Sequence, residues 1–235
     1  MRRRGEHGRW WVLKVVVTLF TLHFSLFTAS AQEEPEYRLE IGAGAGTVTY
    51  LGDYNGNLLK GMQPWGAVVA KYKMNPRSAV AMVIGYGRIK GSSDNTDTWY
   101  PHERYEFGTK MIDATMRYEY NFWAFGTGRE YRGARRLTPF ITIGLGGIYH
   151  GGPKKGFTVS LPIGVGVKYK IGDRLNLTGE WGMQFTTGDK LDGMVDAYGV
   201  KSSGIFKNTD CLSILQMALT YDLWAKCKTC NNDRY

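Results

Sequence analysis

The chain has 235 residues, with 30 Lys and Arg against 21 Asp and Glu, a formal charge of +9. Five bases (Arg2, Arg3, Arg4, Arg9, Lys14) and one acid (Glu6) fall in the first 31 residues, leaving 25 bases against 20 acids over the other 204, an excess too modest and dispersed to argue for nucleic acid. Thirty-one glycines, about twice the average usage, with 14% aromatics and only seven prolines, argue against a disordered or linker-rich chain and for one domain.

Met1 to Ala31 reads as a secretory signal: a charged start at Arg2-Arg3-Arg4 and Arg9, a largely apolar stretch from Val12 to Phe27, and Ala29-Ser30-Ala31 as the small-x-small cleavage site. An uncleaved anchor is the rival, but the apolar stretch is short and ends at that site. No Cys follows the site to take a lipid, and the arginines lack the hydrophobic spacing of a twin-arginine signal. Beyond residue 31 no apolar run is long enough for a transmembrane helix.

From there the chain alternates with period two, and eight strands are expected at 37–51, 64–74, 78–89, 107–123, 137–149, 157–171, 174–187 and 211–224. In the fourth, Ala114, Met116, Tyr118, Tyr120 and Phe122 fall on one face and Asp113, Thr115, Arg117, Glu119 and Asn121 on the other. The sixth sorts Phe157, Val159, Leu161, Ile163, Val165, Val167, Tyr169 and Ile171 against Thr158, Ser160, Pro162, Gly164, Gly166, Lys168 and Lys170. A helix would scatter these positions around its axis. Every strand reaches the ~9–11 residues that cross a bilayer when tilted. Connections alternate between long or polar (52–63, 90–106, 150–156, 188–210) and short (Asn75-Pro76-Arg77, Gly172-Asp173), with the basic stretch 124–136 as the exception.

Period two does not say which face meets water, and a soluble lipocalin-like barrel is the competing architecture. Three features favour the membrane form. Aromatics gather at both strand ends: Tyr50, Trp65, Tyr105, Phe107, Tyr149, Phe157 and Phe185 toward the loops, and Tyr72, Tyr118, Tyr120, Phe122, Tyr169, Tyr221 and Trp224 toward the turns. Glycine crowds the polar face (Gly42, Gly44, Gly46, Gly144, Gly146, Gly164, Gly166), and Gln216-x-Ala218-x-x-Tyr221-x-Leu223 approximates a final membrane strand. The expectation is an all-β, eight-stranded antiparallel transmembrane (outer-membrane) β-barrel, with a cleaved signal peptide at 1–31, the barrel at 32–224, a periplasmic Cys-containing tail at 225–235, and both termini periplasmic. Eight strands leave an interior that side chains fill. Inward charges of both signs (Arg38, Glu40, Lys71, Arg117, Glu119, Lys168, Glu180, Asp222) are expected to pair across it, because an unpaired buried charge costs several kcal/mol.

Enzymatic motifs are thin, and no catalytic, cofactor-binding or metal site is expected. His102 and His150 are placed in external loops, and Ser92, Ser93, Ser202, Ser203 and Asp94 read as loop polarity rather than a nucleophile-and-base pair. Gly42-Ala-Gly44-Ala-Gly46 has no helix behind it to bind phosphate, and the sequon at Asn176 lies inside a strand. Cys227 and Cys230 in the tail favour a small structural disulfide over pairing to another protein. Cys211, at the opposite rim, is left for a partner. The tail offers two of the four ligands zinc needs and lacks a thioredoxin-like surrounding. Arg129, Arg132, Arg135 and Arg136, with Lys226 and Lys228, form a basic patch that reads either as a solvated turn among headgroups or as a periplasmic docking surface.

Several stretches resemble the PorG family, the small outer-membrane barrels of the type IX secretion and gliding apparatus. They are Tyr50-Leu-Gly-Asp53, Tyr118-Glu-Tyr-Asn-Phe122, Tyr131-Arg-Gly-Ala-Arg-Arg-Leu-Thr-Pro-Phe140, Pro162-Ile-Gly-Val-Gly-Val-Lys168, Glu180-Trp181, Asp189-Lys-Leu-Asp192 and the tail from Trp224 to Asn231. The resemblance implies a structural component contacting a periplasmic ring of a lipoprotein and its partner protein, with no enzymatic activity and no cofactor. The other readings carried forward are a small ligand-binding barrel or narrow channel, and a loop-borne lipid-modifying enzyme using His102 or His150.

Overall fold

The computed structural model describes residues 37–52, 55, 57–92, 106–126, 134–151, 155–187 and 210–225. They form eight strands: β1 Tyr37–Leu51, β2 Gln63–Asn75, β3 Ser78–Ser92, β4 Glu106–Asn121, β5 Leu137–Gly151, β6 Lys155–Lys170, β7 Leu175–Thr186 and β8 Cys211–Ala225. Each pairs antiparallel with its sequence neighbours, and β8 returns to β1 (Glu40 opposite Asp222, Gly46 opposite Gln216), closing the barrel. Closure pairs both edges of every strand, so no open sheet edge is left to seek a partner.

The expected strands are all present, with ends shifted by a few residues. The largest end shift is at β3, which runs to Ser92 rather than 89; β5 runs to Gly151 rather than 149. The latter moves His150 out of the loop and into the strand, where it turns inward and is buried. β4 stops at Asn121 instead of 123 because Phe122 and Trp123 break the alternation, both facing outward in succession. The chain turns tightly at Pro76-Arg77 and at 171–174, where the Ile171 N–H donates to the Leu175 carbonyl at 2.9 Å.

Polarity is inverted relative to a water-soluble barrel. The outer wall exposes Val68 (62%), Met116 (61%), Leu145 (65%) and Leu215 (56%), while Glu40 (0%) and Lys168 (1%) are sealed inside. A soluble monomer rarely shows a contiguous apolar patch above a few hundred Å²; this one surrounds the barrel. Lipid removes that surface from water, worth roughly 1.5–3 kcal/mol per large side chain. The fold is an eight-stranded transmembrane β-barrel of the outer-membrane type.

One expectation about the aromatics is overturned. Tyr50, Trp65 and Phe107 are not part of an outer girdle; they point into the lumen and are almost fully buried. Strand parity dictates this: Tyr50 shares its face with Glu40, Trp65 with Lys71, and Phe107 with Glu119. The face keeps its period while its chemistry changes along the barrel axis. With Val48, Val69, Val83, Ile89, Met111, Ile148, Leu212 and Ile214 these aromatics make an apolar plug at the loop end. Phe107 meets Tyr50 edge to face, centroids 5.1 Å apart. The outward loop-side aromatics are Tyr86, Tyr149 and Phe157, with Phe185 half-buried; Tyr105 lies outside the described residues.

Glycine on the inner face has a direct cause. At Gly46 a β-carbon would collide with the Leu215 carbonyl of the adjoining strand, and at Gly85 it would collide with the Asp113 carboxylate and the Trp65 ring. The glycines let strand backbone and bulky side chains share a narrow interior.

Candidate functional site at the turn end of the barrel

Below the apolar plug the lumen holds a charged network. The inner face of β2 continues past Lys71 to Lys73, and that of β6 past Lys168 to Lys170, so two lysines join the expected set by parity alone. The ions alternate in sign across five strands. Lys168 (β6) bonds Glu119 (β4), and Glu119 accepts Lys71 (β2) at 3.1 Å. Lys71 reaches Glu40 (β1) at 4.0 Å, Glu40 meets Lys73 at 3.2 Å, Lys73 meets Asp222 (β8) at 2.5 Å, and Asp222 returns to Lys170 at 2.7 Å. The Thr220 hydroxyl also donates to Glu40. Arg117 pairs separately with Glu180 at 2.9 Å, whose carboxylate accepts further bonds from Thr142 at 3.1 Å and Gln216 at 2.8 Å. The expected pairing of inward charges is therefore present, and Arg38 sits half-buried at the rim.

Between the plug and the network lies Asp113, held by the Trp65 indole N–H at 3.2 Å and the Gln184 amide at 3.3 Å. The loop end is tied by the Tyr50 hydroxyl donating to Asp210 at 2.5 Å. Large side chains fill the lumen over its described length, with Tyr50, Phe140, Met111, Ile148, Lys168 and Glu119 all fully buried.

The chain of ions from Lys168 to Lys170 carries four cations and three anions, and aromatic rings sit over the surplus. Phe140 lies 5.8 Å from the Lys71 ammonium and 5.4 Å from that of Lys168. Phe125 lies under 6.1 Å from three ammonium groups: 6.0 Å from Lys73, 5.5 Å from Lys168 and 5.7 Å from Lys170. Negative ring faces near cations in a dehydrated site are worth about 2 kcal/mol.

Phe125 belongs to the connection between β4 and β5, the basic stretch for which the sequence left both a solvated turn and a docking surface open. Its start is instead folded into the barrel mouth. The Phe125 N–H donates to the Pro76 carbonyl at 3.0 Å, tying it to the β2–β3 turn. The Arg135 N–H donates to the Ala124 carbonyl at 2.8 Å and the Gly126 N–H to the Arg135 carbonyl at 3.3 Å, so the two limbs of the connection run together. Ala124 and Phe125 are buried. The Arg135 guanidinium lies over Trp123, 4.7 Å from the ring centroid, and the Trp123 backbone N–H donates to the Thr138 hydroxyl at 3.1 Å.

Of the six bases expected to form a docking patch, Arg135 and Arg136 are exposed at this end, side by side with Trp123. Arg129, Arg132, Lys226 and Lys228 lie outside the described residues, as do Cys227, Cys230, His102, Ser93, Asp94, Ser202 and Ser203. Cys211 is a free, half-buried thiol opposite Leu51 and Phe185 at the loop end, while Ala225 closes β8 at the turn end. Ser92 is buried at the end of β3, its hydroxyl 3.4 Å from Glu106, and His150 has no hydrogen-bond partner on Nε2 among the described residues. Among the described residues no three His, Cys, Asp or Glu side chains converge to hold a metal ion.

A family model described as a domain of unknown function, DUF6089, matches residues 13–232. No curated protein matches the sequence. Solved structures of similar shape include Neisserial surface protein A, at 14% identity and a TM-score of 0.48 over 79% of this chain and 97% of that one. The outer membrane protein OprG from Pseudomonas aeruginosa is 11% identical, with a TM-score of 0.47 over 83% and 99% of the two chains. Ail, the attachment invasion locus protein of Yersinia pestis, is 11% identical, with a TM-score of 0.44 over 81% and 99%.

Proposed function

The chain belongs to the DUF6089 family, and we propose that it serves as a structural, non-enzymatic component of the type IX protein secretion machinery. In this reading the barrel is the outer-membrane anchor, the turn end and both strand termini face the periplasm, and that end contacts a ring built from a lipoprotein and its partner protein. The secretion assignment rests on the resemblance of the sequence stretches quoted above. Its structural support is the turn end itself: Phe125 seals the mouth, and Trp123 and Arg135 are locked against one another beside Arg136. Shape and charge are thereby set before any partner arrives, which lowers the ordering cost of binding. A packed lumen suits an anchor better than a conduit or a ligand pocket, and short turns on the periplasmic side are the habit of such barrels.

The binding surface comprises Trp123, Arg135 and Arg136, extended by Arg129, Arg132, Lys226 and Lys228. The tail cysteines Cys227 and Cys230 close as a small disulfide, which thiol labelling of the native protein with and without reductant tests. The docking assignment is tested by recovering the ring from native membranes after crosslinking. W123A/R135A/R136A should leave the barrel folded in the outer membrane and reduce ring recovery at least tenfold, since exposed Trp and Arg anchors dominate such interfaces. Unchanged recovery contradicts the docking site. Ion conductance by the reconstituted wild-type barrel would favour the narrow-channel reading instead.

A further inference from the structure

The strand register places two unlike rows next to each other on the outer wall near the loop end. One row runs Tyr86 (β3), Ile112 (β4), Tyr149 (β5), Phe157 (β6), each directly opposite the next and each exposed. Two residues further along the strands, about 7 Å, the wall turns cationic. Arg88 stands directly opposite Lys110, and Lys155 stands opposite Gly151. A β-carbon at Gly151 would lie 3.9 Å from the Lys110 carbonyl oxygen, so the glycine fills the row between Lys110 and Lys155. Lys90 follows Arg88 on the same outer face. All four bases are exposed, and none makes an ion pair among the described residues. Among the described residues of this rim, Glu106 lies 3.4 Å from the Ser92 hydroxyl.

Like charges directly opposite on adjacent strands repel, and this sheet places two such side chains on one rung where no carboxylate among the described residues pairs with them. An anionic group outside the barrel, at the upper edge of the apolar belt, complements them. With the loop end facing outward, that is where the phosphates of the outer-leaflet lipid lie. We infer that Arg88, Lys90, Lys110 and Lys155 form a binding site for the phosphorylated headgroup of a lipid A-type glycolipid, whose acyl chains run down over Tyr86, Ile112, Tyr149 and Phe157. The spacing fits a broad headgroup: Arg88 and Lys155 are three strands apart, about 14 Å, and glycine at 151 leaves room between the cations. The site is independent of the proposed periplasmic contact and uses none of its residues; it shares only the orientation of the barrel.

The test uses the full-length barrel purified in detergent, with bound lipid counted by native mass spectrometry and affinity measured against bisphosphorylated lipid A, the same lipid without phosphates, and inorganic phosphate. The wild type should hold bisphosphorylated lipid A at least tenfold more tightly than the dephosphorylated lipid. Each cation near a charged surface contributes about fivefold, so R88Q/K110Q/K155Q should weaken binding about a hundredfold while R77Q/R174Q, at the other end, changes it little. Equal affinity for the two lipids overturns the site, as does an equal loss in R77Q/R174Q. Displacement by inorganic phosphate at the lipid's own concentration overturns it too, because the site would then take a free anion. The wild-type comparison decides the matter even if the triple variant does not fold.

Discussion

Glu119 is the most informative position in the lumen. It is 1% exposed and holds two ammonium groups, Lys71 at 3.1 Å and Lys168, on strands β2 and β6. In Glu119→Gln the side-chain volume is kept and the charge is lost. Lys71 keeps Glu40 at 4.0 Å, but Lys168 loses its carboxylate partner. Stranding one buried charge costs about 3–5 kcal/mol; the Phe125 and Phe140 rings contact Lys168 with or without the carboxylate and so leave that cost unchanged. The expected destabilisation is therefore about 3–5 kcal/mol, read as a shift in the urea midpoint of the barrel in lipid vesicles at constant m-value. The double variant E119Q/K168M removes the stranded cation and should recover at least about 1.5 kcal/mol of that loss, a coupling typical of groups in one network. A single-variant cost below about 0.5 kcal/mol, or strict additivity in the cycle, would mean that water reaches these ions and that the sealed, alternating network does not exist.

Phe125→Ala removes the ring that covers Lys73, Lys168 and Lys170. It should destabilise the barrel by about 3 kcal/mol, the low end for burying and then deleting a Phe side chain, and should speed hydrogen exchange at the turn-end rungs of β2 and β6. Gly85→Val drives a side chain into Asp113 and Trp65; overpacking of this kind costs about 1–3 kcal/mol, and the Trp65 fluorescence maximum should shift red. Met116→Arg places a charge on the outer wall at mid-belt and should cost about 2–4 kcal/mol in a bilayer. Within about 0.5 kcal/mol of wild type, it would mean that this wall faces water.

The barrel was legible because membrane strands are long and keep strict period two over their length. The count, order and facing of β1 to β8 follow from that period, as does the set of charges that must neutralise one another. The same period sets the facing of the loop-end aromatics. Tyr50, Trp65 and Phe107 share parity with Glu40, Lys71 and Glu119, so facing was fixed by residue number; judging the girdle by residue type and position along the strand hid it. Lys73 and Lys170 were available by the same parity. The role of Phe125 was not, since one aromatic in an aperiodic stretch of Gly and Arg gives no sign that the backbone will fold back onto Pro76. His150 reads as a loop residue for a related reason: Gly151, Gly152 and Pro153 signal a loop, and the strand runs to the first of them.

The central claim is that apolar side chains face lipid while the polar ones, with an aromatic plug, fill the interior. It is tested most directly by quenching tryptophan fluorescence with lipids brominated along the acyl chain, in barrels that retain either Trp181 or Trp65 as the sole tryptophan. Trp181 stands on the outer wall, 45% exposed, and Trp65 is 3% exposed in the lumen. Strong quenching of Trp181 with Trp65 nearly unaffected is the expected result. Trp65 quenched as strongly as Trp181, or neither quenched in vesicles that hold the folded barrel, would contradict the account.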